Sequence, residues 1–445
     1  MPDKTHIFLI GIGGIGMSAL ARYFLGNGLS VAGYDRVKNQ LCHQLEAEGI
    51  TIIYEDQPDK IPGEFTNPHS TEVIYTPAIP ADNQLMIYCR EQGFKLKKRA
   101  RCLGEISQQH QCLAVAGTHG KTTTSSLLAH LFQQAGKNPT AFLGGVAVDY
   151  QSNYISGQPG GIMIAEADEY DRSFLELKVK GGIITSTESD HLDVYGKAEN
   201  LKAAFSDFAT IVEGPLVVHH QTELQGLTYA VEEKADYHAA NVRIANHQFV
   251  FDLIARDQLI EGIRSALPGR HNIENSVAAA ALALEFGLKA EEVKNGIDSF
   301  RGVKRRFEYH ITRDNLIYID DYAHHPSEIR ALVTAVRELY PDLEITGIFQ
   351  PHLYSRTRDF AEEFAGALSL LDELILMDIY PARERPIPGI NAGWLLDKVA
   401  LQEKSQLNRN QILDRFSEKK PQVILSIGAG DIDNLVQPLK MALLQ

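Results

Sequence analysis

The stretch LAVAGTHGKTTT, residues 113–124, runs from an apolar segment through a glycine turn to a lysine and three threonines. An apolar strand that enters such a turn, with a helix behind it, presents backbone N–H groups to a polyphosphate. In that arrangement Lys121 reaches the terminal phosphates and the Thr122 hydroxyl ligates Mg²⁺. Val115 stands where the usual pattern has its first glycine. The stretch therefore predicts a site for ATP or GTP, and the alternative is a glycine turn that merely enters a helix.

Length and charge set the outer limits of the interpretation. A chain of 445 residues exceeds what one hydrophobic core usually supports, so we expect two to four domains. Its net charge of −14 argues against a nucleic-acid partner, which requires a basic face. The four cysteines lack the spacing of a metal site, as is typical of a reducing cytosol. With no signal peptide or membrane-spanning stretch apparent, we expect a cytoplasmic protein without a membrane partner.

A short apolar strand followed by a glycine turn and a helix occurs three times, at residues 7–24, 113–124 and 423–432. Strands that alternate with helices indicate parallel sheets covered on both faces. The predicted fold class is therefore α/β with three domains, each built on a mostly parallel sheet. The first is Rossmann-like, the second is a P-loop-type ATPase and the third is again Rossmann-like. We place these domains at residues 1–106, 107–303 and 304–445.

The first glycine turn, GIGGIG, matches the dinucleotide fingerprint, and Asp35 follows at the end of the next strand. Its glycines allow close approach to a pyrophosphate, and the acid suits a ribose hydroxyl. Taken alone, this turn favours an NAD-dependent oxidoreductase. A dehydrogenase, however, has no use for a second loop built around polyphosphate and Mg²⁺. A nucleotide-linked substrate at the first turn and ATP at the second is the better joint interpretation.

Two apolar runs of the middle region end in polar residues that suit an ATP site, Glu166 and His191. Because the carboxyl ends of parallel strands meet at one edge of a sheet, both side chains are expected near the phosphate loop. There they would converge on Mg²⁺ that neutralises phosphate charge. The alternative is that acids after strands merely cap helices. Histidine is also an unusual ligand for Mg²⁺, which prefers oxygen.

Together these segments resemble the Mur ligases of peptidoglycan synthesis. The resemblance covers essentially the whole chain, in order. The matching blocks are GIGGIGMSALA at 11–21, GTHGKTTT at 117–124, EADEYDRSFL at 166–175, DHLDVYG at 190–196, GRHNIENS at 269–276, GVKRRFE at 302–308, DDYAHHPSEI at 320–329, FQPHLYSRTRD at 349–359 and GAGDI at 428–432.

The resemblance is closest to the family member that adds the first amino acid. It implies ATP-dependent joining of L-alanine to the carboxylate of UDP-N-acetylmuramate through an acyl phosphate. The alternative within the family is the ligase that recycles a murein tripeptide, and a Rossmann oxidoreductase is a remote alternative. The expected partners are these small molecules, with the protein acting as a monomer or homodimer.

The resemblance also implies roles for individual residues. ATP and Mg²⁺, with Mn²⁺ as a substitute, are the expected cofactors, and the third domain would close over both substrates. Lys121, Glu166, His191 and His324 are the expected catalytic residues, with His324 as the base that deprotonates the amine. The metal ligands would be Thr122, Glu166 and His191. The expected UDP-muramate site is Gly11, Gly13, Gly14, Ile15, Gly16 and Asp35. The expected ATP site is Gly117, Thr118, His119, Gly120, Lys121, Thr122, Thr123, His271, Asn272, Asn275, Arg306 and Asp321. The amino-acid end would be lined by His324, His352 and Arg356.

For some of these residues, a purely structural role is the alternative to a functional one. On charge alone, the basic cluster at residues 304–306 is typical of a solvated face. His324 and His325 are also compatible with polar residues that the surrounding backbone satisfies.

The chain departs from the family pattern at three positions. Leu353 follows His352 where many members carry an arginine, so Arg356 or Arg358 would have to hold the alanine carboxylate. Ser186 stands where an asparagine is common. Phe205 stands where several later-acting members carry a lysine that forms a metal-binding carbamate. We therefore expect no carbamylated lysine, including at the neighbouring Lys202.

Overall fold

The computed structural model describes residues 4–187, 198–382, 384–418 and 421–445. Their strands form three sheets of five, ten and six strands. Most neighbouring strands whose pairing is described run parallel, and helices connect them, which confirms the predicted α/β fold class. Among the helices of these residues, none combines the length and apolar character needed to cross a membrane.

The first sheet is built on a central strand with four buried apolar residues. Its elements are β1 (His6–Ile10), α1 (Ile15–Gly26), β2 (Ser30–Tyr34), α2 (Gln40–Ala47), β3 (Thr51–Ile53), β4 (Thr71–Tyr75), α3 (Gln84–Glu91), β5 (Lys95–Lys98) and α4 (Arg99–Ser107). The strand order is β3-β2-β1-β4-β5, with every pair parallel. The GIGGIG turn thus leaves the middle of the sheet at its carboxyl edge, where ligands of such sheets bind.

The second sheet contains the lysine loop at its centre. Its elements are β6 (Gln111–Ala116), α5 (Lys121–Gln134), β7 (Thr140–Ala147), β8 (Ser152–Ile155), β9 (Ile162–Glu166), β10 (Gly181–Ile184), α6 (Ala198–Ile211), β11 (Leu216–His219), β12 (Leu227–Val231), β13 (Tyr237–Ala245), β14 (Gln248–Ala255), β15 (Gln258–Ser265), α7 (Arg270–Glu285) and α8 (Ala290–Ser299). The strand order is β15-β14-β13-β12-β11-β10-β6-β9-β7-β8. Strand β6 lies between β10 and β9 and is parallel to both.

The third sheet is parallel except at one edge. Its elements are β16 (Glu308–Arg313), β17 (Leu316–Asp321), α9 (Pro326–Leu339), β18 (Ile345–Phe349), α10 (Tyr354–Asp359), α11 (Ala361–Leu368), β19 (Glu373–Leu376), α12 (Ala392–Lys398), β20 (Lys404–Gln406), α13 (Arg409–Glu418), β21 (Val423–Ile427) and α14 (Asp433–Leu444). The strand order is β16-β17-β21-β18-β19-β20, and β16 pairs antiparallel with β17.

The chain divides into two compact units. The first comprises Met1–Ala240, Asp252–Ile263 and Glu274–Arg301, and the second comprises Asn241–Phe251, Arg264–Ile273 and Gly302–Gln445. The first unit therefore contains the five-stranded sheet and most of the ten-stranded one, and a single hydrophobic core runs through both. The second unit has its own core around the six-stranded sheet.

A buried arginine ties helix α1 to the ten-stranded sheet within the first unit. The Arg22 guanidinium donates to the side chains of Glu48 and Asn153, and Asn153 donates in turn to Ser18 Oγ at 3.0 Å. Arg22 is 8% exposed and Asn153 is fully buried, so these polar groups need each other as partners. This network holds the helix that follows the first glycine turn against the sheet that carries the lysine loop.

Candidate functional site

The loop between β6 and α5 requires glycine at two positions. Gly117 has φ +132° and Gly120 has φ +81°, both in the region that side chains disfavour. A Cβ on Gly117 would collide with Thr185 Oγ1, and one on Gly120 would collide with Asn275 Oδ1. Gly120 is the N-cap residue of α5 and contributes no side-chain cap to the first amides of that helix. The sequence thus folds into the bare helix N-terminus that suits a phosphate.

Two neighbouring segments hold this loop in place. Thr118 donates its N–H to the Ser186 carbonyl at 3.0 Å and its hydroxyl to Ser186 Oγ at 3.0 Å. Thr124 Oγ1 donates to Asn275 Oδ1 at 3.1 Å. The sequence alone gave no reason for a serine at position 186, and the structure shows that Ser186 holds the loop through Thr118. Asn275 holds it through Thr124.

Lys121 lies along the loop and is held at its tip by an acid. Its Nζ donates to the Gly117 carbonyl at 2.6 Å and to Glu169 Oε1 at 2.9 Å. Burial lowers the pKa of Lys121, but the charges of Glu169, Glu166 and Asp168 outweigh burial and raise it overall. Lys121 is therefore protonated at neutral pH, as a phosphate ligand must be. Sequence reasoning gave no role to Glu169, although the EADE segment that contains it was recognised.

Glu166 lies at the sheet edge from which the lysine loop starts. It ends β9 and pairs in register with Val115 of β6, two residues before Gly117. Glu166 Oε2 accepts the Gly144 N–H at 3.0 Å, and its charge acts on Lys121. Among the three predicted metal ligands, Thr122 opens α5 and Glu166 faces the same loop, whereas His191 lies outside the described residues.

The first glycine turn is shaped by the acid that follows it. Asp35 Oδ2 accepts the Gly13 N–H at 2.8 Å, and Asn39 Nδ2 donates to the Gly13 carbonyl at 3.0 Å. A Cβ on Gly13 would lie 2.9 Å from Asp35 Oδ2. Asp35 therefore holds the turn itself, in addition to any ligand it contacts.

A cavity of about 250 Å³ connects the first glycine turn with the acids of the second sheet. Arg99 lies on its wall, with Nη2 3.7 Å from Asp168 Oδ2, and sequence reasoning did not single it out. It also comes close to the turn, because a Cβ on Gly16 would lie 2.6 Å from Arg99 Nη1. The cavity is lined by Gly14, Ile15, Gly16, Met17, Ala19, Leu20, Thr76, Arg99, Leu103, Phe142, Leu143, Gly144, Glu166 and Asp168.

Phe205, which occupies the position of the carbamate-forming lysine, is part of the hydrophobic core. Phe205 is fully buried, with its ring centre 5.9 Å from that of Phe174. Lys202 is more than half exposed, and its Nζ lies 3.6 Å from Glu223 Oε2. Lys202 is thus engaged at the surface in this structure.

In the second unit, Asp321 ends β17 and is fixed by two backbone amides. Its Oδ2 accepts the Phe307 N–H at 2.7 Å and its Oδ1 accepts the Ala323 N–H at 2.7 Å. Burial nevertheless raises the pKa of Asp321 to about 6, against the opposing effect of Arg306 and these amides. At neutral pH it is largely ionised and offers its remaining lone pairs to a hydroxyl.

Arg305 and Arg306, in the basic cluster beside Asp321, make specific contacts and do not simply form a solvated face. The guanidinium carbons of Arg305 and Arg306 lie 5.3 Å and 5.1 Å from the Tyr322 ring centre. Arg305 Nε donates to Asp320 at 3.0 Å, and Arg306 Nη1 lies 3.9 Å from Glu328. Ring contact and acidic partners thus orient both guanidinium groups.

His324 and His352, two predicted site residues of the second unit, lie close together, and both rings are neutral at neutral pH. The ring centres of His324 and His352 are 6.1 Å apart, and the Tyr380 ring stacks on His352 at 5.7 Å. Burial lowers the pKa of both histidines, that of His352 to about 4, and the charge of Arg356 lowers both further. His324 Nδ1 lies 3.0 Å from the Tyr322 carbonyl, which can only accept, so Nδ1 carries the proton. His324 Nε2 therefore carries the free lone pair of a base.

The neighbouring His325 has a structural role instead. It is the N-cap of α9, where its Nδ1 lies 2.7 Å from Ser327 Oγ and accepts the Ser327 N–H. Its ring packs edge-on against Phe360 at 4.9 Å. His325 therefore contributes through Nδ1 to the start of α9.

Arg356 is the arginine whose charge acts on both rings, those of His324 and His352. Arg358 Nε instead pairs with Asp359 at 2.7 Å on the surface. Leu353 begins this segment with φ +73°, and its N–H donates to the Tyr380 carbonyl at 2.9 Å.

Two further predicted residues, His271 and Asn272, lie at the start of α7. Asn272 is buried, and its Nδ2 donates to the Pro268 carbonyl at 2.7 Å. Gly269, with φ +98°, brings the backbone close to the His271 ring. These contacts fix the turn that begins the helix.

Comparison with known proteins gives consistent matches along the chain. Residues 6–111, 115–283 and 305–430 match the profiles described as the Mur ligase family catalytic domain, the Mur ligase middle domain and the Mur ligase glutamate ligase domain. A UDP-N-acetylmuramate–L-alanine ligase from Christiangramia forsetii is 46% identical over 100% of this chain and 99% of its own length. One from Parabacteroides distasonis is 46% identical over 98% and 96%. The crystal structure of UDP-N-acetylmuramate-alanine ligase from Thermotoga maritima is 28% identical and covers 98% of both chains with a TM-score of 0.83.

Proposed function

The chain belongs to the Mur ligase family, and on that premise we propose that it joins L-alanine to the carboxylate of UDP-N-acetylmuramate at the expense of ATP. The relatives named for this reaction match essentially its whole length. A function with three small-molecule substrates needs neither nucleic acid nor a membrane, and it is compatible with a cytoplasmic monomer or homodimer.

The observation that carries this proposal is the cavity between the first glycine turn and Glu166. A UDP-linked substrate bound on the turn would extend through this cavity toward the lysine loop, which would bind ATP. The cavity therefore supports a reaction between a nucleotide-linked acid and ATP. A dehydrogenase would instead have no use for the polyphosphate loop at the other end of this arrangement.

The proposed chemistry starts from a poor electrophile. A carboxylate does not react with an amine in water, but an acyl phosphate formed from it does. Phosphoryl transfer depends mainly on positioning and charge neutralisation. Lys121, protonated and placed at the helix N-terminus, would bind the transferring phosphate as a second anionic partner beside Glu169. The bare amides of the loop would bind the rest of the polyphosphate.

The residues around the loop fit Mg²⁺. Thr122 and Glu166 supply hard oxygen donors at one sheet edge, and the acids that raise the Lys121 pKa create a field that favours a cation. We assign Thr122 and Glu166 to this metal, with His191 as a further ligand implied by the resemblance; Mn²⁺ is the expected substitute. The ion would neutralise phosphate charge during transfer.

The second unit is proposed to serve ATP and the incoming amine. Asp321 would accept a ribose hydroxyl, and Arg306 would contact the phosphates. His324 would take the amine proton on Nε2, since Nδ1 is occupied by the Tyr322 carbonyl. Arg356 would hold the alanine carboxylate in place of the arginine that Leu353 replaces.

The acyl-phosphate step can be tested by isotope transfer. UDP-N-acetylmuramate labelled with ¹⁸O in its carboxylate is incubated with the protein, ATP, Mg²⁺ and L-alanine, and the released phosphate is analysed by mass spectrometry. The proposal expects one ¹⁸O atom in the phosphate for each amide formed. Unlabelled phosphate accompanying amide formation would exclude the acyl phosphate.

A further inference from the structure

A cluster of metal-binding side chains lies in the second unit, apart from the residues assigned above. It consists of Glu308, His310 and Asp320 on the antiparallel strands β16 and β17. One potential ligand atom of each lies within 4.8 Å of the others. The three side chains are thus close enough together to share one ion.

A β-bulge brings the three residues together. Glu308 and Asp320 are direct partners in the register of the two strands. The register shifts between Tyr309 and Ile311, so His310 is the extra residue of the bulge, a feature that re-aims side chains. As a result, His310 Nε2 lies 3.9 Å from Glu308 Oε2.

The imidazole nitrogen at the centre of the cluster is buried without a hydrogen-bond partner among the described residues. This atom is His310 Nε2, and the His310 side chain is only 9% exposed. A buried polar atom of this kind is uncommon in proteins and calls for an explanation, such as an ion. The ring is positioned by Tyr318, whose ring centre is 5.4 Å away.

The charges around the cluster favour a cation. Arg305 Nε donates to Asp320 Oδ2 at 3.0 Å, which neutralises one of the two carboxylates. Burial lowers the pKa of His310 and outweighs the opposing effect of Glu308 and Asp320, so its ring is neutral and has a lone pair to donate. Lys440 is the weakest of the charges that act on it. Glu308 is therefore the carboxylate whose charge Arg305 does not neutralise, and its effect on the ring is larger than the opposing effect of Lys440.

Outer contacts hold the carboxylates in position, as is usual around metal ligands. The Arg305 N–H donates to Glu308 Oε2 at 2.8 Å, and Ser426 Oγ donates to Asp320 Oδ1. Each carboxylate oxygen has two lone pairs, so these bonds leave acceptor capacity for an ion.

We propose that Glu308, His310 and Asp320 bind a divalent transition-metal ion, Zn²⁺, that links strands β16 and β17. One imidazole and two carboxylates, with water in the fourth position, form a ligand set that suits Zn²⁺. Mg²⁺ and Ca²⁺ are disfavoured because they select oxygen ligands. This site is independent of the proposed ligase reaction.

The test is a titration of Zn²⁺ alone into the full chain, without nucleotide or Mg²⁺, in competition with a chromophoric chelator. We expect one equivalent to bind to the wild-type protein and the affinity to fall at least about tenfold in His310→Phe, which keeps an aromatic ring against Tyr318. His110→Phe is the matched control, because His110 also has a buried nitrogen without a hydrogen-bond partner, yet no carboxylate acts on it. Its affinity should equal that of the wild type.

Two further measurements keep the proposal open to refutation. Glu308→Gln retains an acceptor for the Arg305 N–H and should weaken Zn²⁺ binding while the circular dichroism spectrum stays unchanged. X-ray absorption of the one-equivalent complex should show one imidazole and oxygen ligands. Equal Zn²⁺ affinity of the wild type and His310→Phe, or sulfur ligands in the spectrum, would overturn it.

Discussion

At the scale of single residues, the ion pair of Lys121 and Glu169 is the most consequential contact. Glu169 is fully buried and Lys121 only 13% exposed, so each charge depends on the other for compensation. Binding of a phosphate would offer Lys121 a second anionic partner. The pair therefore holds the lysine charged and extended along its loop before any ligand arrives.

Replacing Lys121 by alanine should nearly abolish ligation and leave the fold intact, although the free energy of unfolding should fall because the buried Glu169 loses its charged partner. The side chain contacts loop carbonyls and an acid rather than the core, whereas loss of a charged contact to a transferring phosphate costs on the order of a thousandfold in rate. Amide formation is measured beside circular dichroism, with Lys137→Ala as a control for an exposed lysine just beyond the same helix. A folded Lys121→Ala variant with ordinary activity would refute the phosphate-loop assignment.

The stability of the protein should fall as the pH drops, in part because of His352. Its folded-state pKa is about 4, whereas an unfolded histidine titrates near 6.5. Between these values the unfolded chain binds a proton that the folded chain does not, so acid favours unfolding. Urea unfolding at about pH 7.5 and about pH 5.5 measures the loss.

His352→Gln should lose less stability than the wild type between these two pH values. His43→Gln, which changes a mostly exposed ring, serves as the control and should behave as the wild type. Identical pH dependence in the wild type and His352→Gln would contradict the burial of a neutral ring at this position.

At the scale of elements, the connection from β6 to α5 was predictable and its surroundings were not. Glycine at residues 117 and 120 and the lysine that follows are local features, so a short window of sequence reveals them. The contact of Glu169 with the lysine, the support from Ser186 and the place of Arg99 on the cavity wall depend on which strands become neighbours. That order arises from the packing of whole sheets, which no local pattern encodes.

The same reasoning explains the outcome for the histidines. HHP in the sequence does not distinguish His324 from His325. The structure does, because Pro326 starts helix α9 and so makes His325 the N-cap. His191 was predicted as a metal ligand and lies outside the described residues, so its role stays a prediction.

Gly120→Ala should weaken ATP binding by at least about tenfold without unfolding the protein. Its Cβ would collide with Asn275 and displace the amides at the start of α5. Gly136→Ala is the matched control, since Gly136 also has a positive φ, +69°, but open space around it. Isothermal titration with ATP and Mg²⁺ gives both affinities, and equal losses in the two variants would show that backbone strain alone is responsible.

At the scale of the whole molecule, the proposed function assigns residues of both compact units to one reaction. The lysine loop and the cavity belong to the first unit, and Asp321, His324 and Arg356 belong to the second. The three sheets and their glycine turns were predictable from the alternation of strands and helices. The division into two units was not, since it depends on the core shared by the first two sheets.

Substrate binding should therefore protect backbone amides in both units from hydrogen exchange. With UDP-N-acetylmuramate and a non-hydrolysable ATP analogue, we expect slower exchange at residues 117–122 and at residues 321–325, because both segments would contact the nucleotide. The loop at residues 256–257, between β14 and β15, serves as an internal reference. Protection confined to the first unit would contradict the roles proposed for Asp321 and His324.

The most direct test of the central claim is phosphate release from ATP by the purified protein with UDP-N-acetylmuramate and different amines. We predict that release requires UDP-N-acetylmuramate and is fastest with L-alanine, slower with glycine and L-serine, and slowest with the murein tripeptide. Each phosphate should be accompanied by one amide bond. Release that does not depend on UDP-N-acetylmuramate, or that is fastest with the tripeptide, would contradict the account.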